Sequence, residues 1–208
     1  MNWLRRLFRG RPSALELARF FDQASRDEEH FPSTIDPRIY HVQLIQRHLG
    51  DLRQRRIADV GCGKGRFARV LIAAEPGVRI VAIDISMGML RHAPPGTERC
   101  AAAITALPLA DESCDGAYAT ESLEHAIDID AAVSELCRIV KPGGRIVIID
   151  KNAEQWGRLP TPPWEKWFYR DELEKLLKRH CREVSSQFIS YWEDVQPDGL
   201  FIAWLAVK

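Results

Sequence analysis

The stretch Asp59-Val-Gly61-Cys-Gly63-Lys-Gly65 sets three glycines at alternate positions between a short apolar run and a helical pattern. Glycines there let backbone amides approach a ligand closely, and the N-terminus of the following helix favours polar groups. The chemistry expected is a cradle for a nucleotide-like ligand. The dinucleotide fingerprint G-x-G-x-x-G/A would require a small residue at position 66, which is Arg66, so what stands here is D-x-G-x-G-x-G. Nineteen residues after Gly65 the next apolar run ends in Asp84, an acid placed to accept hydrogen bonds from two ribose hydroxyls. Glu121, Glu124 and His125 follow a later apolar run, at the carboxyl edge where open α/β sheets place their ligands. His125 is the first choice for a general base or acceptor contact, because the intrinsic pKa of imidazole lies near neutrality. A capping or structural histidine is the competing reading.

The elements that must position these residues follow from periodicity and punctuation. Ser13 caps a helix over Ser13 to His30, with Glu16 completing a capping box, and Pro37 opens a second helix that Gly50 ends. After Arg56, short apolar runs alternate with helical stretches, the pattern of a wound, mostly parallel α/β sheet. Strands are expected at Ile57 to Val60, Arg79 to Asp84, Thr97 to Ala101, Gly116 to Thr120 and Arg145 to Asp150. Helices fit between them at Lys64 to Ala74, Met87 to His92 and Ile129 to Val140, the last stopped by Lys141-Pro-Gly-Gly144. A proline-rich loop at Trp156 to Trp164 and an amphipathic helix at Phe168 to His180 follow. Strands at Val184 to Trp192 and Leu200 to Val207 then form a tight antiparallel pair, joined through Gln196-Pro-Asp-Gly199.

Composition narrows the function classes. The 208 residues are 46% hydrophobic and 28% charged, as in one ordinary globular domain. The 29 basic residues cancel the 29 acidic ones, so the whole-chain field does not favour nucleic acid. Five widely spaced cysteines without a C-x-x-C pair imply neither a zinc knuckle nor a disulfide framework and suit a reducing cytoplasm. The longest apolar run, Leu200 to Val207, has eight residues, too few to span a bilayer. Residues 1–11 carry Trp3, Leu4, Leu7 and Phe8 at helical spacing among Arg5, Arg6, Arg9 and Arg11. They resemble a short basic helix on an anionic lipid surface, which leaves a weak peripheral membrane contact open. One short segment binds lipid only marginally, which favours a terminal helix packed on its own domain.

With the glycine loop, Ile83-Asp-Ile-Ser86, Leu107-Pro-Leu109 and Arg138-Ile-Val-Lys-Pro-Gly-Gly144, the chain resembles the class I S-adenosylmethionine-dependent methyltransferases. Within them it is similar to the group that includes the ubiquinone and menaquinone biosynthesis enzymes. The resemblance runs from Ile57 through Asp150 and implies a Rossmann-like, seven-stranded, mostly parallel sheet with a C-terminal antiparallel hairpin and helices on both faces. It also implies a helical cap over residues 1–50 and a methyltransferase domain over 51–208. S-adenosyl-L-methionine would be the cofactor, with Gly61, Gly63 and Gly65 beneath its methionine and ribose and Asp59 near its amino group. Asp84 would hold the ribose, Ile85 would lie against adenine, and the backbone at Ala103 and Ile104 would face the adenine edge. Family members commonly carry an acid where Ala103 stands. Thr120 and Glu121 would flank the methionine end, and Arg38 is a further candidate for its carboxylate.

Methyl transfer from a sulfonium needs alignment and exclusion of water more than covalent help, and a base only where the acceptor holds a proton. His125 and Glu121 are the catalytic candidates; no metal is implied. Trp156, Trp164, Trp167, Trp192 and Trp204 lie in the last third and read as an acceptor wall or lid, or as core, which Trp204 is. Lys151, Asn152 and Glu154 could add polar contacts. Thr161-Pro-Pro-Trp164 looks like an element of amino-methylating DNA enzymes but follows the fifth strand rather than the fourth, and no proline precedes a cysteine. The expected reaction is methyl transfer to oxygen or carbon of a small or lipid-like acceptor. RNA or protein methylation, and a cofactor-binding scaffold without turnover, are the alternatives.

Overall fold

Alternation of apolar residues along the central strands buries both faces of one sheet. On the strand Val140–Lys151, Ile146 and Ile148 enter one hydrophobic cluster and Val147 and Ile149 the other, the period-two split of a strand covered on both sides. The computed structural model describes residues 12–208, so the basic segment 1–11 lies outside the described residues. The order is α1 (Ala14–Ala24), α2 (Tyr40–Leu49), β1 (Arg56–Val60), α3 (Arg66–Ala74), β2 (Arg79–Asp84), α4 (Met87–Leu90) and β3 (Glu98–Ala101). There follow β4 (Cys114–Thr120), α5 (Ile129–Ile139), β5 (Val140–Lys151), α6 (Arg170–Leu177), β6 (Glu183–Ile189) and β7 (Phe201–Val207).

The seven strands run β3-β2-β1-β4-β5-β7-β6. The first five are parallel, and β7 is antiparallel to both β5 and β6. This is the expected Rossmann-like sheet with its C-terminal antiparallel pair. Side chains of α2 and α3 (Val42, Ile45, Phe67, Leu71) cover one face. Those of α5 and α6 (Leu136, Leu173, Leu177) cover the other, together with Trp204. Strand order reverses at β1 and β4, and the crevice outside their carboxyl ends is where such a sheet receives ligands.

Several boundaries differ from the sequence reading, β5 among them, which begins at Val140 and takes in Lys141-Pro-Gly-Gly144; three of the differences have their cause in specific hydrogen bonds. Helix α1 stops at Ala24, where the Ser25 amide closes the last turn on Phe21, although the Ser13–Glu16 capping box is present. Pro37 does not open α2: the Asp36 carboxylate takes the Arg38 amide and guanidinium, making a turn, and the helix begins at Tyr40. The last two strands are not joined by a tight turn. Ile189 pairs with Phe201, leaving residues 190–200 as a loop, because Asp198 and Gly199 bond elsewhere. Asp198 pairs with Arg158, and the Gly199 carbonyl accepts from Asn152. Among the described residues no helix is long and apolar enough to cross a membrane.

Trp204 is fully buried, and its indole N–H donates to the Arg170 carbonyl at 2.9 Å. Trp204→Ala is expected to cost about 3–5 kcal/mol of unfolding free energy, read by chemical denaturation. A loss under about 1 kcal/mol would contradict this packing.

Candidate active site

The glycine loop leaves β1 by borrowing the end of β2. The Gly61 and Cys62 amides both donate to the Ile83 carbonyl, at 2.8 and 2.9 Å, and the Gly63 amide donates to Asp84 Oδ2 at 2.8 Å. Two glycines are forced for different reasons. Gly61 has φ +73°, and a Cβ there would lie 2.3 Å from that of Ser122 on the loop after β4. Gly63 has φ +54°, and a Cβ there would meet nothing within 4 Å; it would project into open space. That space is a cavity of about 800 Å³, toward the upper end of the roughly 300–1,000 Å³ usual for small-molecule sites.

The cavity brings together most of the residues named from sequence. Gly61, Gly63, Asp84, Ile85, Ala103, Ile104, Thr120, Glu121 and His125 all line it. Asp84 stands at the β2 end with Oδ1 accepting from the Ser86 amide. Burial pushes its carboxyl up to about 6, against the pull of the Ser86 and Gly63 amides. Three residues stand elsewhere. Gly65 lies behind the wall as the left-handed cap of α3. Asp59 is buried beneath the loop, and burial pushes it up to about 7. Arg38 points into solvent, its side chain 78% exposed and paired with Asp36, so the structure does not bring it to the cavity.

Beyond the glycine loop lies a charged cluster. Glu121 pairs with Arg66 at 2.8 Å. Lys151 Nζ sits 2.5 Å from Glu124 and 3.6 Å from Glu165, and Glu124 lies 3.6 Å from His125 Nε2. Glu124, His125 and Glu165 could by distance hold a metal ion, but the Lys151 ammonium already supplies a cation to both carboxylates. Burial pushes His125 down to about 4, leaving a neutral imidazole with an unpartnered Nδ1, its ring edge-to-face with Phe21 at 5.0 Å. Burial would raise Glu121, yet Arg66, Lys151 and His41 hold it below its ordinary value. Glu124 and Glu165 are raised, in both cases chiefly by burial.

The aromatic wall is not the one expected. None of Trp156, Trp164, Trp167, Trp192 and Trp204 lines the cavity; Trp164, Trp167 and Trp204 are buried, and Trp156 and Trp192 face solvent. Phe20 and Phe21 of α1, Phe31 and Tyr191 take that place, with Pro160 and Pro162 of the proline-rich loop. Their signal in the sequence was an apolar helix stripe, which is identical whether it faces a core or a cavity. Lys64 was also missed. Its side chain is 1% exposed, and it reaches out of the glycine loop to Glu28 at 2.6 Å and the Asp27 carbonyl at 3.1 Å.

Residues 58–148 match the family described as methyltransferase domain. Over that segment the chain is similar to S-adenosylmethionine-dependent methyltransferases. It is 40% identical over 106 residues to a malonyl-(acyl-carrier protein) O-methyltransferase of Methylococcus capsulatus, covering 48% of this chain and 38% of that protein. It is 33% identical over 131 residues to a ubiquinone/menaquinone biosynthesis C-methyltransferase of Syntrophotalea carbinolica, covering 60% and 53%. The chain thus spans about half the length of these two relatives, or less. In fold it is similar to a Haemonchus contortus phosphoethanolamine N-methyltransferase solved with S-adenosylhomocysteine. The TM-score there is 0.75 at 15% identity, covering 97% of this chain and 60% of that one. The open space at Gly63 and the carboxylate at the β2 end fit a nucleoside cofactor such as S-adenosylmethionine.

Gly63→Ala is expected to fold with a loss of about 1–2 kcal/mol for the left-handed backbone, while the affinity for S-adenosylhomocysteine, read by calorimetry, falls at least tenfold. Unchanged affinity would place the nucleoside elsewhere. An Asp84 that holds a ribose would accept from it in the ionised form, so affinity should weaken as pH falls through 6, approaching about tenfold per unit. Its free-state value is raised, so in the ligand-free protein protonation adds stability over the same fall. Asp84→Asn should bind weakly with that pH dependence gone.

Proposed function

We propose that this chain transfers the methyl group of S-adenosylmethionine to oxygen or carbon of a small or lipid-like acceptor. The observation that carries the reading is that a single cavity runs from the glycine loop to an apolar wall of Phe20, Phe21 and Phe31, with His125 between them. On this reading Gly61, Gly63, Asp84, Ile85, Ala103, Ile104 and Thr120 hold the cofactor. When bound, the cofactor supplies a methyl carbon made electrophilic by its sulfonium. The residues of the chain bind and orient the acceptor, exclude water and receive a proton.

Of the two candidate catalytic groups, Glu121 is committed to Arg66, whereas His125 is a neutral ring whose buried Nδ1 has no hydrogen-bond partner. His125 takes the proton of an acceptor hydroxyl or enol. The carboxylate of Glu165, whose field raises the basicity of that ring, offsets the imidazolium charge. Of residues 1–50, the described ones before α2 form a cap, while α2 itself packs on the sheet: Lys64 clamps Asp27 and Glu28 across the loop, and Asp22 accepts from Ser86 and the Gly88 amide. The basic segment 1–11 directly precedes α1, a cavity wall, so a weak lipid contact there would set the cavity beside a lipid-borne acceptor. Deleting residues 1–11 should then abolish flotation with anionic vesicles, and equal flotation would remove this extension.

The direct test is incubation with S-adenosylmethionine and a panel of phenols, quinols and acyl thioesters, with S-adenosylhomocysteine read by mass spectrometry. Turnover with tRNA or protein alone, or with nothing, would overturn the reading. With an accepted substrate, His125→Gln should lower the rate by about 100-fold or more while S-adenosylhomocysteine affinity stays within about twofold.

A further inference from the structure

Two of the five cysteines meet in space although 44 positions separate them along the chain. Cys137 lies in the last turn of α5 and Cys181 in the turn between α6 and β6, with their Sγ atoms 3.8 Å apart. Both belong to the hydrophobic cluster that α5 and α6 build on one face of the sheet, and neither lines the cavity. A disulfide holds its sulfurs about 2.0 Å apart, so closure asks for a movement of about 2 Å. The turn carrying Cys181 is the part able to yield, since its backbone is in neither helix nor strand.

The two sulfurs are not equivalent. Cys181 keeps 7% exposure against 1% for Cys137. The Cys137 thiol hydrogen-bonds Cys181 and holds it below its ordinary value against the effect of burial. The Lys208 ammonium, which donates to the Val140 carbonyl at 2.8 Å, acts in the same direction as Cys137. The Cys181 sulfur and burial raise Cys137, and burial raises Cys62, Cys100 and Cys114. Cys181 therefore has the most thiolate character of the five, and the thiolate is the form that reacts.

We propose that Cys137 and Cys181 are an oxidation site that reacts with hydrogen peroxide and closes to a reversible intramolecular disulfide. The Cys181 thiolate attacks one peroxide oxygen, the O–O bond breaks, and the other oxygen takes a proton and leaves as water, so that Cys181 becomes a sulfenic acid. The Cys137 sulfur then attacks the Cys181 sulfur and gives up its proton. The S–O bond breaks and a second water leaves. Two thiols are oxidised by two electrons, and one peroxide is reduced to two waters. The bond encloses β5, the proline-rich loop and α6 in one covalent ring, and Lys151, Pro160, Pro162 and Glu165 of that ring line the cavity. Its two ends lie outside the cavity, so it restrains unfolding of that wall without occupying the site.

The test is titration of the full chain with hydrogen peroxide, followed by intact mass and by peptide mapping without reductant. One bond joining Cys137 to Cys181, reversed by dithiothreitol, is expected while Cys62, Cys100 and Cys114 stay free thiols. In Cys137→Ser a dimedone trap should label Cys181, and in Cys181→Ser the label at Cys137 should form at least about tenfold more slowly. Oxidised wild type should melt about 5–10 °C above the reduced protein, a rise absent from Cys137→Ser. A bond to any other cysteine, sulfinic acid at Cys181 with Cys137 left free, or an unchanged or lower Tm on closure would overturn the proposal. So would thiols that survive in the folded wild type at a peroxide concentration that oxidises the urea-unfolded chain.

Discussion

The amide of Gly63 donating to the Asp84 carboxylate is the bond on which the rest of the site depends. It fixes the loop after β1 to the end of β2, so the two ligand-facing features cannot move independently. The paired donation of Gly61 and Cys62 to the Ile83 carbonyl works in the same direction. A loop whose amides are already satisfied by a strand end does not collapse into the cavity it encloses. Asp84 keeps acceptor capacity beyond these backbone bonds, since a carboxylate has about four lone-pair sites. The geometry that makes the loop rigid therefore also keeps the acid turned toward a ligand.

That rigid floor is closed by a segment from the other end of the chain. Lys64 leaves the glycine loop to bind Glu28 and the Asp27 carbonyl, Arg69 reaches the Ser33 carbonyl, and Asp22 binds Ser86 and Gly88 around α4. Each contact joins residues before α2 to the edge of the nucleoside cradle. Glu28 is held well below the usual carboxylate range, first by Lys64 and then by the Ser33 amide. The wall carrying Phe20, Phe21 and Phe31 is thus pinned by polar contacts at its margins and leaves its apolar surface for the cavity.

The sheet was legible because its signals are local. Asp84 ends a strand, Lys141-Pro-Gly-Gly144 follows a helix that stops at Ile139, and alternation marks each run. The loop was legible because Gly61 and Gly63 stand at left-handed backbone angles that favour glycine. What escaped depends on partners distant in sequence. Phe20 and Phe21 reveal a cavity only once β4 and the proline-rich loop are set opposite them. Glu165 enters the cluster because β5 carries Lys151 to it. Asp198-Gly199 read as a hairpin turn until Arg158 and Asn152 claimed it.

The buried carboxyls divide by whether a cation accompanies them. Asp59 and Asp150 lie at the cores of β1 and β5 with no guanidinium bonded to either, and burial raises both. Raised in this way, they lose charge rather than bear the cost of an uncompensated ion in a dry interior. Glu121 and Glu124 lie one layer nearer the cavity, each with a cation in contact, Arg66 and Lys151. Of these four only Glu121 is held below its ordinary value, whereas burial keeps Glu124 raised even beside Lys151.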